Sequence, residues 1–78
     1  MELPAGVDRA ILDALADAPR PVRAVWVVAR LLDITEDEAR LVPELSRVAS
    51  RLVALRERGA VVRDYDRRSR CVYSLPAP

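Results

Sequence analysis

Residues Leu45 to Leu75 read LSRVASRLVALRERGAVVRDYDRRSRCVYSL. Leu45, Val48, Leu52 and Leu55 recur at helical spacing and form one apolar stripe, with Arg and Ser outside it. Gly59 ends the helix as a C′ residue, after Arg56 and Arg58 in its last turn, where cations suit the helix dipole. Two short strand candidates follow, Ala60 to Asp64 and Arg70 to Leu75. In the second, Cys71, Tyr73 and Leu75 alternate with Val72 and Ser74, the pattern of a half-buried strand. The polar run Tyr65-Asp66-Arg67-Arg68-Ser69 lies between them. The stretch predicts a helix handed directly to a β-hairpin, about residues 60–75, with an arginine-rich tip.

Upstream, Thr35-Glu36-Asp37-Glu38 is a capping box, so a helix starts at about Glu36. Leu41 extends the apolar stripe of Leu45, Val48, Leu52 and Leu55 across Pro43. Pro43 either kinks one helix over about 36–58 or opens a second one. Between Pro21 and Ile34, β-branched residues compete with helical spacing at Val25, Val28, Ala29 and Leu32. The reading is a short strand near Val22 and Arg23, then a helix over about 24–32. Val7, Ile11, Leu12 and Leu15 mark a first amphipathic helix over about 7–17, stopped by Pro19 and Pro21. Met1 to Gly6 reads as an arm, and Pro76 and Pro78 as the end of the ordered part. The fold class is mainly α with a small β-hairpin, an α+β arrangement in one domain over residues 1–78.

Composition narrows the chemistry. The chain has 78 residues and no His, Lys, Phe, Asn or Gln. A catalytic triad, a Cys/His dyad and an imidazole metal ligand are thereby excluded. One Cys, Cys71, allows no internal disulfide and reads as a small strand residue. The acids Glu36, Asp37 and Glu38 are those of a helix start before they are a cation site. No enzyme, no metal and no cofactor is expected. No apolar run is long enough to span a bilayer, and no signal peptide opens the chain, so the expected location is the cytoplasm. Met1 reads as an initiator and the chain as a complete small protein. A domain this short buries only about 60% of its unfolded surface, so a partner would stabilise it.

The net charge of +1 conceals an asymmetry. Residues 1–39 carry four Arg and eight acids, a net −4; residues 40–78 carry nine Arg and four acids, a net +5. A basic half facing one way suggests a polyanionic partner.

The order helix, short strand, helix, helix, hairpin resembles the winged helix-turn-helix, a three-helix core with a two- or three-stranded wing. It is similar to small prokaryotic regulators of the broad MarR, ArsR and PadR type. The residues that carry the resemblance are Leu45-Ser46-Arg47, Leu52, Leu55, Gly59, Val61-Val62-Arg63, Asp66-Arg67-Arg68 and Tyr73-Ser74-Leu75. The segment Asp33 to Val42 departs from the pattern, being longer than the usual turn. An alternative register takes 24–32 and 36–42 as the helix pair and makes 7–17 an added helix. A second departure is the lack of extra dimerisation helices.

The resemblance implies sequence-specific or semi-specific binding of double-stranded DNA, transcription regulation, a homodimer and a place at the nucleoid. No motif names an effector. On the projected helix the outward face presents Arg40, Ser46, Arg47 and Ser50, with Arg51 on its flank. These are the candidates for the major groove, where the Arg fork suits guanine. Arg67, Arg68 and Arg70 on the hairpin are candidates for phosphate contact. A structural check on the reading is whether Arg47 and the hairpin tip lie on one surface. Trp26 and Val27 are candidates for a dimer seam, with core packing as their other use. The alternative function is a winged-helix protein-interaction module that binds no DNA.

Overall fold

The computed structural model describes residues 2–77; Met1 and Pro78 lie outside them. Local chemistry places the helix ends. Helix α1 (Val7–Asp17) follows Gly6, whose φ of 70° is left-handed, and stops at Ala18, extended as the residue before Pro19 should be. Helix α2 (Ala24–Leu32) closes on Asp33, with Ile34 N–H donating to Ala29 O at 3.0 Å. Helix α3 (Glu36–Ala39) opens on the complete capping box of Thr35 and Glu38, both reciprocal bonds at 3.1 Å. Helix α4 (Glu44–Glu57) opens on Pro43, at a helix start where its missing N–H forfeits no bond. It ends on Gly59, φ 77°, with Gly59 N–H donating to Arg56 O at 3.0 Å and Ala60 N–H to Leu55 O at 2.9 Å.

Strands β1 (Val62–Tyr65) and β2 (Cys71–Ser74) pair antiparallel, Val62 opposite Ser74 and Tyr65 opposite Cys71. Val22 forms a one-residue bridge on the other side of β2. Its N–H donates to Tyr73 O at 2.9 Å, and Tyr73 N–H donates to Val22 O at 2.7 Å. The short strand expected near Val22 and Arg23 is thus reduced to this bridge. It still ties the start of α2 to the hairpin.

A single apolar cluster joins the elements: Ile11 and Leu15 from α1, Val25 and Val28 from α2, Val48, Leu52 and Leu55 from α4, and Tyr73 from β2. No charged side chain is buried among the described residues. Helix α2 is central and packs against α1, α3, α4 and β2. No helix among the described residues is long and apolar enough to cross a membrane.

Three expectations change. Of the two readings of Pro43, residues 36–58 take the second, two helices, and Leu41, expected in the buried stripe, is 87% exposed. Helical spacing predicts a shared face only while the helix is unbroken. The turn at residues 40–43 rotates Leu41 outward, and Ala39 and Val42 pack on the core instead. Val27, a candidate for a dimer seam, is fully buried because α2 is covered on several sides; only Trp26 reaches the rim. Strand β2 does not alternate simply, since both Val72 and Tyr73 are buried. Tyr73 faces the core, while Val72 lies in a cleft walled by Pro21 and Trp26.

Candidate nucleic-acid interface

The stripe of Val48, Leu52 and Leu55 turns one side of α4 to the core, leaving a crest and two flanks. Ser46 and Ser50 lie on the exposed crest. The flanks differ in what they meet.

The first flank faces α1. Arg51 donates from Nε and Nη2 to the two carboxylate oxygens of Asp8, at 2.8 and 2.7 Å. Arg58 Nη1 lies 3.7 Å from the same carboxylate. The hydrogen bond from Arg51 holds the Asp8 carboxyl below the ordinary aspartate range, with the charges of Arg51 and Arg58 adding to it. A bidentate fork of this kind fixes both side chains. Arg51, expected to project toward DNA, is therefore engaged with α1. Arg47 lies on this side too, lining a depression with Glu44, residues 2–6 of the arm and Val7 of α1. It makes no ion pair among the described residues.

The second flank faces the hairpin across an open groove of about 820 Å³. Leu45 and Ala49 form its α4 wall, Cys71 and Tyr73 its β2 wall, and Arg23, Arg40, Arg68 and Arg70 its charges. No acidic residue lines it. The small Ala49 side chain keeps the α4 wall low. Burial raises the pKa of the Tyr73 phenol.

The hairpin tip is held by local hydrogen bonds. Asp66 Oδ1 accepts from the N–H groups of Arg68 and Arg70, at 2.8 and 3.0 Å, and Oδ2 accepts from Arg70 Nε at 2.8 Å. Asp66 N–H donates to Arg70 O at 2.9 Å, and Ser69 takes φ 59° to close the turn. These bonds, the Arg70 N–H first among them, lower the Asp66 pKa. Arg70 is thus partly neutralised by Asp66, and Arg40 has only a loose pair with Asp37 at 3.9 Å. Arg23, Arg67 and Arg68 have no ion-pair partner among the described residues. Arg67 is exposed at the tip and does not line the groove.

The groove brings together Arg40, Arg68 and Arg70 of the expected set. Ser46 and Ser50 stand on the crest above it. Arg47 and Arg51 are not part of it, so Arg47 and the hairpin tip do not share one surface: Arg47 projects about 200° round the helix from Leu45, at 100° per residue. The residue that sequence reasoning missed is Arg23. Its signal was the Val22 strand, because pairing that strand with the hairpin carries Arg23 to the hairpin side. Among the described residues no group of three or more His, Cys, Asp or Glu side chains is placed to hold a metal ion. Compared with models of known families, with characterised proteins and with solved structures, the chain finds no match in any of the three.

Proposed function

We propose that this chain is a small winged-helix protein that binds double-stranded DNA and acts at the nucleoid as a homodimeric transcription regulator. In this reading α1, α2 and α4 are the three-helix core, α3 is a short insertion before the recognition helix, and the hairpin is the wing. The Val22 bridge supplies the third strand of the wing sheet. One observation carries the reading: a groove between α4 and the hairpin lined by four arginines and no acid. Arg23, Arg40 and Arg68 hold phosphates, and the Ser46 and Ser50 crest lies against the base edges. This reading is one of binding: with no His, the chain has no Ser/His or Cys/His nucleophile–base pair.

Titration against random duplex DNA at low and moderate salt tests it. Micromolar binding is expected, weakening with salt by about 0.9 logarithmic units per neutralised phosphate and per decade of salt. Loss of that binding in Arg23→Ala plus Arg68→Ala ties it to the groove. No binding at low salt overturns the reading. Sedimentation of the free protein tests the homodimer.

A second reading, a winged-helix module that binds another protein, is favoured by Leu41, a large apolar side chain left 87% exposed. Leu41→Ser separates the two, for it leaves DNA affinity unchanged if the groove is the site.

A further inference from the structure

Arg23, Arg40 and Arg70 line the groove on one side and a second cleft, of about 480 Å³, on the other. The walls of that cleft differ in kind. Trp26 of α2 and Tyr65 at the end of β1 contribute aromatic surface, and Tyr65 is 57% exposed. Arg30 sits over the Trp26 ring at 6.0 Å and Arg63 over the Tyr65 ring at 5.5 Å. Neither arginine lines the cleft, so the ring surface within it is not taken by them. Arg20 adds a cation at the rim, with no ion-pair partner among the described residues; Glu36, Asp64 and Asp66 add carboxylates, of which Asp66 is already paired with Arg70.

Aromatic rings beside arginines are what an unpaired nucleotide needs: a base stacks on the ring and its phosphate meets the cation. Carboxylates would oppose a second phosphate, but they accept hydrogen bonds from the exocyclic amino group of a base such as cytosine. A paired base is already stacked and offers no free face to Trp26 or Tyr65. The duplex-binding groove and the aromatic cleft meet at one row of arginines, so a strand leaving a duplex in the groove would pass directly into the cleft.

We infer that the cleft receives one unpaired nucleotide, and that the preferred ligand is a duplex carrying a single-stranded extension. The inference rests on the duplex-binding reading above. Trp26 is the only tryptophan and reports on the cleft by its own fluorescence.

The experiment compares a blunt duplex with the same duplex bearing a short dC extension at the 3′ or the 5′ end. The extension is expected to raise affinity roughly tenfold, in line with stacking of one base, and to quench Trp26. Tyr65→Ala removes that gain and leaves blunt-duplex affinity as it was. Equal affinity for blunt and extended duplexes, with Trp26 fluorescence unmoved, overturns the inference and leaves duplex binding standing. A gain that survives Tyr65→Ala overturns it as well. Quenching by free dCMP with no gain from the extension also overturns it, assigning the cleft to a free nucleotide. Failure to bind either duplex overturns both readings.

Discussion

The two flanks of α4 carry the same kind of residue in opposite states. On the α1 flank, Arg51 is locked by two hydrogen bonds to Asp8, and Arg58 stands 3.7 Å from the same carboxylate. On the hairpin flank, Arg23 and Arg68 face a groove with no acid in it. An arginine already paired holds the fold together; an arginine left unpaired beside a cavity offers its charge to a ligand. Counting basic residues along the chain does not separate the two, and neither does their spacing on the helix. What separates them is which acids the other elements bring near.

The largest expected effect destroys the comparison altogether. Leu52 is fully buried beneath both flanks. Leu52→Ala should cost about 2–5 kcal/mol through lost burial and the cavity left behind, a large part of the stability of so small a domain. Urea unfolding followed by circular dichroism measures it. A loss below 1 kcal/mol would show that α4 is not the shared support.

Next in size is the charge on the hairpin flank alone. Arg23→Ala with Arg68→Ala should lower DNA affinity at least tenfold and make the salt slope shallower by about two phosphates, with the urea midpoint unchanged. Arg51→Ala should do the reverse, lowering the midpoint and leaving the slope as it was. Equal effects of the two changes on DNA affinity would erase the distinction between flanks.

How much of this could be read from the residues follows from how far apart the interacting groups lie. The capping box at Thr35 and Glu38 and the helix stop at Gly59 are local, decided by neighbours within one turn, and both stand in the structure. The hairpin is similar, since β1 and β2 are joined by their own turn. The helical spacing of Leu41 points to the buried stripe, but spacing says nothing about the break before Pro43. Arg51 and Asp8 are 43 residues apart, beyond any periodicity, and only the packing of α1 on α4 brings them together. Arg23 reaches the groove through the bridge from Val22 to Tyr73, another long-range pairing. The fold was legible where it is local. The site was legible in residue type but not in membership, because an arginine's role depends on distant carboxylates.

The smallest effects sharpen the comparison through acid. Each flank has one aspartate with a lowered pKa, Asp8 by the Arg51 hydrogen bond and Asp66 first by the Arg70 N–H. A carboxylate whose pKa is lower in the folded state contributes stability that is fully present above its unfolded value and is lost as pH falls through the folded one. With an ordinary aspartate value of 3.8, neither pair should contribute any change in melting temperature between pH 7 and 5, and both contributions should fade below about 3.8. The consequences then diverge. Asp8 joins α1 to α4, so Asp8→Asn should lower the melting temperature at pH 7 and flatten its decline in acid. DNA affinity should hold or rise as Arg51 and Arg58 are released. Asp66 bonds only within the hairpin tip, so Asp66→Asn should lower the melting temperature less than Asp8→Asn does. It should weaken DNA binding, because the tip that presents Arg68 is no longer held. A crossed result, with melting moved more by Asp66 and binding lost through Asp8, would mean that the α1 flank is the one facing DNA.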